Sequence, residues 1–443
     1  MLTSVLHANL GFMYYDMGKV DSAKIEFSKA LNKARGLPDR LRYTYNLWYH
    51  QIRRDIGYEK LEKLCLQWKT RYPNDLLPYE TLDWVYNAQS AYDKRIDVLK
   101  DAIGNGFKNE MLIPLAKAYM DGGKYQKAKK SYELYKKEFP SRLESTKDLA
   151  IVYNKLGQSE KALEHLDNLI SLSPNDLSIG IEKAKLLGCT GAIKEELKTY
   201  QTYKNKLLTI EDTISLSNAI FEYYIRLGQL NNAANEQQAL QRVTKNKITN
   251  LNYIFSDLVG KLNLYDNLKD ASQIESLRPL LKKPLIKEVG YDCYIKYIVF
   301  RKQENTDSLS YYFENCPILN TAGDAFVLSE QAFLYELRGD YEEALNLYNA
   351  SLKKDPANND YKISQAKCLL KVDRFEDALI LLQNILTVDK SNPEIFLLTA
   401  RAFEKINPSQ ARQNLEIALE MVKDSDLDSK LVHEINKLKT RIL

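Results

Sequence analysis

An all-α fold, built from antiparallel helix pairs repeated along the chain, is predicted by three observations. Gly and Pro are scarce, 17 and 12 among 443 residues, so few points interrupt a helix. Alanines recur in fixed phase: Ala116, Ala150 and Ala184 are 34 apart, and so are Ala332, Ala366 and Ala400. Pro140 and Pro174 keep the same interval. Small residues in such a phase describe a unit of two helices that cross closely and stack on the next unit.

Taken in order, the first unit spans 4–37 and carries Gly11, Tyr14, Gly18, Ala23, Phe27 and Ala30. Weaker units follow at 42–75 (Trp48, Gly57, Pro73) and 76–109 (Leu82, Tyr86, Ala102). Segments 109–142 and 143–176 are regular, and 177–210 (Ala184, Gly191) and 214–247 (Tyr224, Gly228, Ala233) are weaker. Across 248–322 the small-residue phase is absent, although apolar periodicity persists over 250–265, 269–283, 286–302 and 307–316; Pro279, Pro284 and Pro317 punctuate it. We read two degenerate hairpins there, joining two regular arrays into one continuous stack; the alternative is a linker between two separate solenoid domains. Units resume at 325–356, 359–392 and 393–426, the last with Pro408 in its turn. A terminal helix beginning near Asp426 or Asp428 places Leu431, Ile435, Leu438 and Ile442 on one face and caps the stack. The expected organisation is thus an array over 1–247, hairpins over 248–322, a second array over 323–426 and a cap over 427–443.

Segment 325–356 states the pattern most fully. Ala332 and Tyr335 lie on its first helix, Gly339 in the turn, Ala344 and Tyr348 on its second helix, and Pro356 closes it. Gly ends the first helix in a left-handed conformation, and Pro stops the second. This pattern resembles the tetratricopeptide repeat family, in about ten units. The resemblance implies a right-handed superhelical solenoid of antiparallel helix pairs, with the first helix of each pair lining a concave face. It also implies a non-catalytic scaffold or adaptor that binds a protein or peptide partner. The alternative is a sensor or adaptor region of a larger bacterial signalling protein, associated with a kinase, cyclase or protease. Coding sequence upstream would favour that alternative.

The composition and motifs exclude other classes. Lys and Arg number 63 against 59 Asp and Glu, a net charge of +4 without the basic excess of a nucleic-acid binder. No run is long and apolar enough to span a membrane, and the N-terminal stretch reads as an amphipathic helix rather than a secretory signal. Five cysteines, widely spaced and without CxxC, argue against a disulfide framework and for a reducing, cytoplasmic setting. His433-Glu434 begins like a zinc-binding helix, but Lys437 stands where the second histidine belongs. The Gly104 and Gly106 pair lacks a third glycine at Asn109 and follows a helix, so it is an inter-helix turn. No cofactor, metal or catalytic group is expected.

The expected site is therefore a groove. Inner positions of successive first helices place Lys117, Lys147, Lys155 and Lys185 in one trough, with Ile113, Ile151 and Ile181 beneath. Asn154 adds an amide able to bond a peptide backbone. Cations over an apolar floor suit an acidic segment. Some relatives of this family clamp a C-terminal carboxylate with a Lys and an Asn at the fifth and ninth positions; Lys147 fits the first but Ile151 occupies the second, so that clamp is not expected. A second trough in the C-terminal array carries Phe326, Phe333, Leu337 and Leu370 with Lys367, Lys371 and Arg401. Its apolar patch marks either a partner site or a surface covered by the chain's own distal helices.

Overall fold

The computed structural model describes residues 2–17, 19–33, 58–140, 144–204, 206, 209–244, 291–316, 319, 324–426 and 429–442. Among these there are 22 α-helices and no strand. The chain divides into two compact units, Met1–Ser131 and Tyr132–Leu443. The boundaries drawn from sequence at 247, 322 and 426 all fall inside the second unit. The expected helices over 250–265 and 269–283, and the positions of Gly18, Trp48, Gly57, Pro279, Pro284 and Pro317, lie outside the described residues.

In the first unit α1 (Leu2–Asp16) packs on α2 (Val20–Lys33). The helices α3 (Tyr58–Arg71), α4 (Leu77–Ala88), α5 (Tyr92–Gly104) and α6 (Lys108–Asp121) pack each on the next. The unit boundary lies within α7 (Tyr125–Glu138). The second unit continues with α8 (Glu144–Lys155), α9 (Ser159–Leu172), α10 (Leu177–Cys189), α11 (Ile193–Lys204), α12 (Ile210–Arg226) and α13 (Leu230–Thr244). After the hairpin of α14 (Tyr291–Lys302) and α15 (Thr306–Asn315) come α16 (Asp324–Arg338), α17 (Tyr341–Lys354), α18 (Asn359–Lys371), α19 (Phe375–Leu386), α20 (Pro393–Phe403), α21 (Pro408–Met421) and α22 (Lys430–Ile442). Contacts run between sequence neighbours and, at α8–α10, α10–α12, α18–α20 and α20–α22, between alternate helices. That is the packing of stacked hairpins.

The alanine phase is the reason they stack. Ala116, Ala150, Ala184, Ala332, Ala366 and Ala400 are all fully buried at helix crossings, and Ala128, Ala162, Ala344 and Ala378 on second helices are buried as completely. Large rings fill the spaces between: Tyr132, Tyr200 and Tyr348 are fully buried. Ala150→Phe is expected to lower stability by about 1–3 kcal/mol through overpacking. A urea midpoint equal to wild type would mean that Ala150 does not stand at a crossing.

The turns follow the same phase. Gly123, Gly157, Gly191 and Gly339 have φ of 68°, 72°, 91° and 84°. Asp373, 34 residues after Gly339, adopts φ 59° at the same place. The backbone there requires the left-handed conformation whichever residue occupies it; Gly meets it at least cost and Asp tolerates it. Pro408, placed in a turn from sequence, is instead the first residue of α21, where its missing N–H is no loss; the Asn407 side chain accepts from the Gln410 amide at 3.2 Å. The terminal helix begins at Lys430 and buries Val432, Ile435 and Leu438, with Leu431 and Ile442 packed at the margin.

One sequence expectation is corrected. Cys293 and Cys316 form a disulfide, with Cα atoms 5.6 Å apart. Their separation of 23 residues looked wide in the sequence, but the α14–α15 hairpin folds its two ends together. The other three cysteines are free, and burial pushes the thiols of Cys65, Cys189 and Cys368 up to about 12. No described helix is long and apolar enough to cross a membrane.

Candidate binding surface

The first helix of each pair positions the predicted groove residues at helical spacing. In the second unit Lys147, Ile151 and Lys155 are half-buried along α8, and Lys185 is exposed on α10. Lys147 Nζ donates to Ser178 Oγ at 3.4 Å, linking α8 to the start of α10. Ile181 belongs to the core between repeats rather than to the groove floor. Lys117, exposed on α6, belongs to the first unit. Nearby in that unit, buried Arg95 donates to Asp83 and Asp121, each at 2.6 Å. Burial holds the Asp121 carboxyl above the usual range, with Arg95 and Lys117 pulling the other way.

Asn154 does bond a peptide backbone, but it is the chain's own. Its Nδ2 donates to the Val388 carbonyl at 3.3 Å, while its Oδ1 accepts from Ser159 at 2.8 Å. The inner end of α8 therefore meets the loop after α19. Burial pulls the Lys362 ammonium, on α18, below the ordinary lysine range, and the charge of Lys155 adds to that shift. Both arrays thus contribute cations to one neighbourhood.

The C-terminal trough is largely covered by the chain itself. Phe326, Phe333 and Leu337, with Leu334 on the same helix, pack against Tyr297 and Leu309 of the α14–α15 hairpin. Arg301 lies 4.3 Å over the Phe333 ring and donates to buried Glu330 at 2.7 Å. The cover on these three residues is the adjacent hairpin rather than distal helices, and Leu370 packs elsewhere, in the core with Ala366 and Leu369. Lys367 pairs with Glu394 at 2.7 Å, and Arg401 is ion-paired with Glu434 of the terminal helix. Lys371 is exposed; with Lys367 it offsets part of the burial that holds Glu336 above the usual carboxylate range.

A feature missed in the sequence lies beside this groove. Glu196 on α11 stands 34 residues after Ala162 and 68 after Ala128, in the phase of a small residue. Its side chain is 1% exposed and binds Arg226 Nη2 at 2.5 Å. Tyr200 donates to it at 3.3 Å. It fits because Gly188 faces it: a Cβ there would lie 2.1 Å from Glu196 Oε2. Burial holds the Glu196 carboxyl above the usual range, partly offset by Arg226. The signal was legible as a charged residue in an alanine phase. Among the described residues no group of three or more His, Cys, Asp or Glu side chains could hold a metal ion.

Two family models, each described as tetratricopeptide repeat, match residues 113–176 and 337–402. A search of curated protein sequences finds no match. Among solved structures, the hetero-tetramer Cut9-Hcn1 of the APC/C is 14% identical, with 98% of this chain and 76% of that chain covered and a TM-score of 0.43. Naa15/Naa10 bound to HypK-THB is 14% identical over 94% and 67%, with a TM-score of 0.29. A tetratricopeptide repeat protein from Parabacteroides merdae ATCC 43184 is 13% identical over 75% and 100%, with a TM-score of 0.27. The matched segments coincide with regular units of both arrays, where buried alanines keep their interval, and in these segments the chain carries tetratricopeptide repeats.

Proposed function

We propose that the protein is a non-catalytic scaffold that binds an acidic protein or peptide segment on the inner face of its second unit. Tetratricopeptide repeats are protein-interaction modules in general, and the choice of face rests on one observation. Among the described residues, Lys147 and Lys185 on successive first helices, with Ile151 between them, have no carboxylate partner, whereas Lys183, Lys204 and Lys367 pair with Asp167, Glu236 and Glu394. Unneutralised cations beside apolar surface attract acidic side chains and specify them over neutral ones. Lys155 and Lys362 extend the same positive field.

The test is charge reversal. After affinity capture of a partner from the source cell, K147E/K185E is expected to weaken direct binding about tenfold at low ionic strength, the difference shrinking as salt screens the charges. Equal affinity of variant and wild type would remove this face from the reading. The compartment is decided separately. Three free thiols suit a reducing cytoplasm, while the Cys293–Cys316 bond needs an oxidant to form. The mass of unreduced protein from its own cell distinguishes the two.

A further inference from the structure

Within the second unit two C-terminal loops close on two N-terminal turns. The loop after α19 meets the turn after α10: the Lys390 N–H donates to the Cys189 carbonyl at 2.9 Å, beside the Asn154 bond to Val388. The loop after α21 meets the turn after α12. There the Asp426 N–H donates to the Gly228 carbonyl at 3.1 Å, and the Ser425 hydroxyl donates to the Leu227 carbonyl. The Asp426 carboxylate accepts from the Asn231 N–H at 2.9 Å and from its Nδ2 at 2.6 Å. Asp426 thus satisfies an otherwise open amide in the first turn of α13 from 195 residues away. Gly228 is shaped for the contact, since a Cβ there would lie 2.7 Å from Ser429 Oγ.

The chemistry of this seam differs from that of the stack. Helix pairs are held by buried rings and alanines. The seam is mostly backbone and short polar side chains, with Met421 at the edge of the neighbouring core. Such bonds exchange with water at small net cost, so they part before buried apolar contacts do. We propose that the two loop-to-turn contacts form a releasable clasp, and that its release, with every helix pair intact, opens the inner ends of α8 and α10. That opening admits a partner only if the inner-face reading above holds; the clasp itself does not depend on it.

A native reporter is built in. Cys189 is half-buried at the end of α10, and its carbonyl is the acceptor for Lys390. Burial, with the Asp389 charge behind it, keeps its thiol poorly ionised. Cys65 and Cys368 are fully buried, and Cys293 and Cys316 are paired. Alkylation of Cys189 by iodoacetamide, followed by peptide mass spectrometry of the full chain without reductant, therefore measures opening.

N154A/D426A is expected to label at Cys189 at least about tenfold faster than wild type. Hydrogen exchange should speed by a similar factor at the backbone amides of positions 390 and 426, while α9 and α17 keep wild-type rates. Labelling within about twofold of wild type, or faster exchange in those helices as well, would overturn the clasp. Should that variant fail to fold, G191C/K390C supplies the converse test. The Cβ positions are 4.0 Å apart, within disulfide range. The left-handed φ of Gly191 strains the new side chain, so the cross-link is compared with the same protein after reduction, and with wild type given the same reductant. Cross-linking is expected to slow Cys189 labelling at least about tenfold, and an unchanged rate would refute the clasp. Faster labelling of N154A/D426A without a change in affinity for the captured partner would overturn the access claim. Failure of K147E/K185E to weaken binding would instead overturn the inner-face reading.

Discussion

Replacing Glu196 by alanine is expected to destabilise the second unit by about 3 kcal/mol, at the low end for breaking a buried ion pair. The low end applies because Arg226 keeps 22% side-chain exposure and regains some hydration when its partner is lost. The cost comes from what is left behind. Arg226 Nε is already buried without a hydrogen-bond partner, so E196A leaves the guanidinium without its carboxylate and also strips the Tyr200 hydroxyl of its acceptor. The cavity is a further penalty, because Gly188 offers no atoms to fill it. E196Q keeps the shape and should fall between wild type and E196A. Replacing both partners with apolar residues, as in E196L/R226M, should recover most of the loss, since it removes the stranded charge. Urea unfolding of the three variants checks the order. E196A with a wild-type midpoint would show that the pair contributes nothing.

Opening the Cys293–Cys316 bond is expected to cost the α14–α15 hairpin about 3 kcal/mol, the chain-entropy value for a loop of roughly this length. The bond joins residues separated by 23 positions and closes the end of the hairpin opposite its turn. That hairpin covers Phe326, Phe333 and Leu337. Its loosening should therefore be read locally, because an array of repeats does not unfold as one cooperative block. C293S/C316S should show faster hydrogen exchange over 291–315 and over the start of α16, with α20 and α21 unchanged. Equal exchange in variant and oxidised wild type would mean that packing alone holds the hairpin. Cys316 and Leu319 are both buried in its cluster, and that packing is what would then carry the hairpin.

The pairing of helices was open to reading because it is local and periodic. Ala150 and Ala184 each need only the preceding and following turns of chain to meet a neighbour, so the interval of 34 states the packing directly. The turn at Asp373 shows the same rule without its usual residue, since the phase identified the position even though no glycine stands there. Glu196 breaks its alanine phase, but beside Glu195 on an amphipathic helix it reads from sequence as solvated face, and its burial corrects that. Its partner is not legible in the sequence, because Arg226 belongs to another repeat and nothing in a 34-residue period says which charges meet.

The groove residues divide in the same way. Helical spacing placed Lys147, Ile151 and Lys155 along one helix and Lys185 on the next first helix, and the structure keeps them there. It did not foresee that Asn154 would be taken by Val388, or that Phe333 would lie under Arg301. By itself, then, the amino-acid sequence determined the repeating helix hairpins, their turns and the small residues on which they cross. Each of these depends on neighbours within about two repeats. Only the tertiary structure decided which surfaces stay open: the Asp426–Asn231 contact spans 195 residues, and the Lys390–Cys189 contact is comparably distant. Such contacts follow from small rotations between successive hairpins accumulating over many units, and no single residue or interval records that sum.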